Sequence, residues 1–221
     1  MKKISKFIFV LLPFAVLFSS CVDITRNIVI NADGSGTEKM EVNISQQFFS
    51  LMQSLSELDS TKKGKSMYDD SEIIEDIVKN FEGNDITSKP NVTSVLNADS
   101  SKTLTIDYSF TNLSAITLAL DGDKPADSNG DIYLKEQDGV MKFYYELPND
   151  SKVSQDSDSA NAELVAKLFE GKNFTINIEF PYDVISSNAT SQNGRKLTWT
   201  FPMSSMTEAG EPRVFTAELR K

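Results

Sequence analysis

The sequence predicts an α+β fold: an antiparallel sheet built from successive β-hairpins, with about three to four amphipathic helices packed on it. Two observations carry that expectation. Runs with apolar residues at every second position come in pairs closed by Asp, Gly, Asn or Ser, which is the pattern of hairpins with one buried face. Between the pairs stand segments whose apolar residues recur at three- and four-residue spacing, which places them on one side of a helix.

The 221-residue chain opens on a targeting segment. Lys2, Lys3 and Lys6 precede an apolar run from Phe7 to Phe18, broken only by Pro13, and Ser19 and Ser20 lead to Cys21. A basic end, a short apolar run and small residues before a cleavage point are the parts of a secretory signal. The run of about twelve residues falls short of the roughly 20 that span a bilayer. Residues 1–20 are therefore expected to be removed, leaving 21–221 as a single domain. Leu17-Phe18-Ser19-Ser20-Cys21 resembles the lipobox of bacterial lipoproteins, with its Leu one place further back than usual, and the resemblance implies a lipid on the Cys21 thiol. Cys21 is the only cysteine, and a lone thiol in an oxidising compartment has no disulfide partner. Two or three acyl chains hold a protein on a bilayer far more firmly than one. Val22, rather than Asp, follows the cysteine. The expected place is the bacterial cell envelope, anchored in the outer membrane and facing the periplasm.

The elements then follow in order. Ile24 to Asn31 and Thr37 to Ile44 alternate around Ala32-Asp33-Gly34-Ser35-Gly36, the first hairpin. No helix follows this turn and no Lys-Ser/Thr closes it, so it reads as a turn and not a phosphate cradle. Ser45 caps a predicted helix with Phe48, Phe49, Met52, Leu55 and Leu58 on one face. A second helix runs from Asp70 through Ile73, Ile74, Ile77, Val78 and Phe81 to Gly83, with acids in its first turn where they suit the helix dipole. Val92 to Asn97 and Leu104 to Phe110 form a hairpin around Ala98-Asp99-Ser100-Ser101. Leu113 to Leu120 is either strand or helix, and helix is chosen. Ile132 to Lys135 and Val140 to Leu147 pair across Gln137-Asp138-Gly139, with Phe143, Tyr144 and Tyr145 adding β character. Ala162 to Phe169 is a further helix. Phe174 to Phe180 is a strand stopped by Pro181; Asp183 to Asn188 is a short crossing; Leu197, Trp199 and Phe201 mark a return strand; and Val214 to Leu219 is the last.

Composition restricts the chemistry. The net charge of −10 becomes −13 once the three lysines of the signal are gone, which argues against nucleic acid as a partner. There is no histidine, so Ser-His-Asp triads, His-ligated zinc and the usual neutral-pH base are absent. A lipidated Cys21 removes thiol chemistry as well. Asp121, Asp123, Asp127, Asn129 and Asp131 alternate like the oxygen ligands of a calcium loop. Gly130, however, directly follows Asn129, and the closing position counted from Asp127 is Asp138 rather than Glu. The stretch 121–131 and the Asp/Ser/Asn-rich 148–160 are read as mobile acidic loops, and no metal, cofactor or catalytic residue is assigned.

The lipobox cysteine, the hairpin turn Asp33-Gly34-Ser35-Gly36, and Phe180-Pro181 leading through Asn188 to Leu197-Thr198-Trp199 together resemble the LppM-like family of bacterial envelope lipoproteins. That resemblance implies an α+β domain whose sheet and helices shelter an apolar ligand or lipid, and it transfers no catalytic residue. Trp199 is expected in the core rather than on a ligand. The function expected is a non-enzymatic, membrane-anchored binding module for an apolar, lipid or other envelope ligand. The alternative is a structural or assembly lipoprotein acting through protein partners. A carboxylate hydrolase needs two acids at a fixed separation, and 32 acids in one sequence nominate no pair.

Overall fold

The computed structural model describes residues 22–48, 50, 70–117, 131–147, 169, 171–206 and 212–221. Its strands are β1 (Val22–Ile30), β2 (Gly36–Ile44), β3 (Asn91–Leu96), β4 (Lys102–Phe110), β5 (Ile132–Gln137), β6 (Val140–Leu147), β7 (Asn173–Glu179), β8 (Asp183–Ser187), β9 (Ser191–Asn193), β10 (Lys196–Pro202) and β11 (Arg213–Arg220). They form a seven-stranded sheet in the order β3-β4-β2-β1-β7-β10-β9 and a four-stranded sheet in the order β5-β6-β11-β8.

The first two hairpins fold as their turns dictate. Asn31 N–H reaches Ser35 O at 2.8 Å, Ser35 N–H reaches Asp33 Oδ1 at 3.0 Å, and Gly34 takes φ +83°. The turn between β3 and β4 repeats this arrangement, with Asn97 N–H on Ser101 O at 2.8 Å and Ser101 N–H on Asp99 Oδ1 at 3.0 Å. There Ser100 replaces the glycine and adopts φ +63°, a left-handed conformation that costs a residue with a Cβ roughly 1–2 kcal/mol. Hydrogen bonds from Ser35 and Ser101 hold Asp33 and Asp99 below the usual carboxylate range. Strand alternation does the rest: β1, β4 and β7 each turn every second residue inward.

The expected single sheet under three to four helices is not what forms. Among the described residues strand dominates: eleven strands form two sheets, and helical residues are confined to 46–48, 50, 71–81, 115–117 and 203–206. The apolar face of the large sheet is covered by the small sheet. Trp199 and Phe201 of β10 meet Phe215 of β11 at ring distances of 5.5 and 6.2 Å, and Phe143 of β6 meets Phe180 at 4.9 Å. Asp183 to Ser187, read as a crossing, is a strand of the small sheet. Leu113, Ala115 and Ile116 are buried in the core; of the predicted helix over Leu113 to Leu120, residues 115–117 are helical and 118–120 lie outside the described residues. The predicted helix over Ser45 to Leu58 falls mostly outside the described residues, where 46–48 and 50 are helical. The predicted helix over Ala162 to Phe169 lies outside them except for Phe169, and the strand pairing of β1 with β7 is parallel.

The helix Ser71–Phe81 does form as expected and lays Phe81 edge-on against Tyr108 at 4.8 Å. Asp70, at its N-cap, makes no side-chain cap. Its carboxylate turns to the sheet instead, taking Lys102 Nζ at 2.6 and 2.7 Å and the Ser94 hydroxyl at 2.5 Å.

One side chain ties the two sheets together. Asn188 Oδ1 accepts from Trp199 Nε1 and from Thr216 N–H, both at 2.9 Å, and its Nδ2 donates to Val214 O at 2.7 Å. Trp199 is 4% exposed, so its indole N–H has little access to water. Asn188→Ala is expected to destabilise the fold by about 2 kcal/mol, since a buried donor left unpaired costs roughly 1–3 kcal/mol. The check is a urea transition with a lower midpoint and an unchanged slope.

Candidate functional site

The first unusual feature is a charged pair inside the core. In β1, Arg26 stands in the inward series with Ile24, Ile28 and Ile30, and in β2, Glu38 stands in the inward series with Met40 and Val42. The register places Glu38 opposite Ile28 and Tyr108, one diagonal step from Arg26. Arg26 Nε and Nη2 grip the two carboxylate oxygens of Glu38 at 2.5 and 2.9 Å. Nη2 also donates to Ile116 O at 2.6 Å, Nη1 donates to Tyr145 Oη at 3.1 Å, and Tyr108 Oη donates to Glu38 Oε2 at 2.6 Å. Both charged side chains are 0% exposed. Burial alone would pull the Arg26 guanidinium down, but the Glu38 carboxylate, helped by Tyr145, outweighs it and holds the charge more firmly than in water. Burial, then the Glu38 charge, pushes the Tyr108 phenol well above its ordinary range. The bidentate geometry is the strong form of such a pair. Because it is sealed from solvent, it joins β1, β2, β4, β6 and the 113–117 segment rather than meeting a solute.

The second feature is open. On the outer face of the four-stranded sheet, Tyr133 stands directly opposite Tyr144, and their rings stack at 5.2 Å with planes 9° apart. Lys135 Nζ lies 3.9 Å from the Tyr133 ring centre. On its other side Tyr144 is paired with Thr216 of β11, so that side of the ring borders a shallow groove of about 460 Å³. Tyr133, Tyr144, Thr216, Lys142, Ser186 and Glu218 line it. The Ser186 hydroxyl donates to Glu218 Oε2 at 3.2 Å, and Tyr144 Oη donates to Glu146 Oε2 at 2.7 Å. That hydrogen bond is the leading reason the Tyr144 phenol is pushed up to about 12, so the ring stays neutral across the physiological range. The groove therefore offers one aromatic flank, hydroxyls, a carboxylate and an ammonium.

Of the residues singled out by sequence, Cys21 lies outside the described residues, as do 1–20, 148–160 and all of 121–131 except Asp131. Trp199 is in the core. The Phe143-Tyr144-Tyr145 run is divided by strand alternation: Phe143 and Tyr145 are buried at 1% and 0% exposure, and Tyr144 faces out. Among the described residues no group of three or more His, Cys, Asp or Glu is placed to hold a metal, and no helix is long and apolar enough to cross a membrane. Sequence reasoning missed Arg26 and Glu38, although a signal existed. The period-two runs through Ile28 and Met40, extended one step back, reach opposite charges on paired strands.

The protein is thus a two-sheet, mostly β domain with a closed ionic core and an open tyrosine-flanked groove. No known family matches the chain, and no curated protein matches it. Among solved structures it is similar to the NMR structure of the folded domain of the Mycobacterium tuberculosis LppM protein. The two are 12% identical with a TM-score of 0.45, over 91% of this chain and 90% of that one. This is a likeness of fold alone.

Proposed function

We propose that this chain is a non-catalytic envelope lipoprotein, anchored through Cys21, that binds a glycan on the outer face of its four-stranded sheet. The observation that carries the reading is the Tyr144 groove. A sugar ring has an apolar C–H face and a polar hydroxyl rim. The groove sets an aromatic ring beside Glu218, Ser186, Thr216 and Lys142, a few oriented polar groups next to one apolar surface. The interior supports an external ligand over an enclosed apolar one. Phe143, Tyr145, Phe174, Ile176, Phe180 and Phe215 fill the space between the sheets at 3% exposure or less. Arg26 and Glu38, both at 0% exposure, are committed to each other.

Titration of the protein with muropeptides from digested peptidoglycan and with delipidated core oligosaccharide, followed by saturation-transfer NMR, tests the groove. Tyr144→Ala is expected to weaken binding about tenfold, the effect of removing a central aromatic contact worth more than about 1 kcal/mol. No transfer from either glycan would sink the glycan reading. The alternative, a structural or assembly lipoprotein, draws on Ile185 and Val214, exposed at 45% and 37% on the same sheet. A photo-crosslinker at position 144 that captures one constant protein in cells would favour it.

A further inference from the structure

We propose that the corner of the large sheet bearing Val95, Leu96 and Ile73 is a second, apolar contact with the bilayer that holds the Cys21 lipid. The inference rests on the lipid anchor proposed above. Val22, Ile44, Lys102 and Leu96 are successive partners in one row across β1, β2, β4 and β3. With neighbouring strands about 4.8 Å apart, Leu96 stands roughly 14 Å from Val22 along this rim. Cys21 is bonded to Val22, so its Cα lies about 3.8 Å away and no linker separates the acylated residue from β1. The polar layer of a leaflet is only roughly 5–8 Å deep. A lipid seated in the bilayer therefore draws the whole rim against the headgroups.

The rim is apolar in one corner. Six large hydrophobic residues are exposed among the described residues, and Val95 and Leu96, at 55% and 58%, adjoin the tip of the β3–β4 hairpin. A third, Ile73 at 52%, is one helical turn from Asp70, whose carboxylate is fixed to Lys102 and Ser94 in the same corner. Among the described residues the lysines of this rim are already neutralised, Lys102 by Asp70 and Lys172 by Asp23. The contact is accordingly hydrophobic and insensitive to salt, unlike attraction through free surface charge.

The test uses the full lipoprotein. An acylated Cys21 leaves no free thiol, so Leu96→Cys supplies one label site at the exposed corner. Ala32→Cys supplies a reference in the exposed turn at the far end of β1, roughly 30 Å away. Each is labelled with an environment-sensitive dye and reconstituted in phosphatidylcholine vesicles containing a nitroxide lipid. The label at 96 is expected to be quenched roughly threefold more than that at 32, as for a group sunk into the headgroup boundary, and equally at low and high salt. Equal quenching at the two sites overturns the contact. Protection of position 96 in cells but not in vesicles assigns the corner to a protein partner and also overturns it. The intact mass separates the two readings. Acyl chains on Cys21 with equal quenching remove the corner and leave the anchor, whereas an unmodified Cys21 removes both.

Discussion

Arg26→Met destabilises the protein by about 3–5 kcal/mol, the cost of leaving a buried charge without its partner. The substitution strands the Glu38 carboxylate at 0% exposure and leaves Ile116 O and the Tyr145 hydroxyl without the guanidinium that donates to them. Tyr108 still donates to Glu38, but one neutral donor does not replace a bidentate cation. The double variant Arg26→Met/Glu38→Leu is expected to be more stable than either single one, because two apolar side chains of similar volume remove the desolvation penalty together. Recovery stays incomplete, since Ile116 O loses the guanidinium that donates to it, at a cost of roughly 1–3 kcal/mol. Urea transitions of the three variants measure this. A loss below about 1 kcal/mol for Arg26→Met, or a double variant weaker than both singles, contradicts the account. The pair also fixes register. Sliding β2 by one residue against β1 would turn Glu38 to the outer face, so this ionic contact selects the pairing in which Ile28 and Met40 are also buried.

The hairpins were legible because turn chemistry and period-two alternation are local. Asn31-Ala32-Asp33-Gly34-Ser35 and Asn97-Ala98-Asp99-Ser100-Ser101 close their own loops, and Ile106, Tyr108 and Phe110 show one buried face. The small sheet was not legible because β8 carries almost no pattern. It is an edge strand with only Val184 partly covered, and its pairing with β11 shifts register at Glu218/Leu219. Nor does anything local announce that β7 lies parallel to β1 some 150 residues earlier. Short apolar runs fit either period, yet the helix chosen over Leu113 to Leu120 is helical where it is described, at 115–117, with Leu113, Ala115 and Ile116 in the core. Cys21, read from sequence alone as the anchor, lies outside the described residues. The groove was half legible: the aromatic run 143–145 stood out, but the partner of Tyr144 is Tyr133, a cross-strand contact that only the register of β5 on β6 supplies.

The same first turn yields a second large effect, at a glycine whose reason differs from that of its neighbour. Gly34 takes φ +83° with open space where a Cβ would stand, so Gly34→Ala meets only the left-handed backbone penalty of roughly 1–2 kcal/mol. Gly36 needs no unusual φ. It opens β2 between Ile30 and Phe110, and a Cβ there would fall 2.0 Å from Val29 O and 2.5 Å from Phe110 Cζ. The oxygen belongs to β1 and moves only if the hairpin opens. The ring is 2% exposed and also faces Tyr108 at 6.5 Å. Overpacking of a side chain alone costs about 1–3 kcal/mol, and here the backbone is struck as well, so Gly36→Ala is placed at about 3 kcal/mol or more. For a domain of this size that lowers Tm by about 6–12 °C, against roughly half as much for Gly34→Ala. Thermal scans of the two variants side by side decide it. A smaller loss at 36 than at 34 would mean that Phe110 swings clear and that the hairpin, not the ring, sets the fit of β2 against the core.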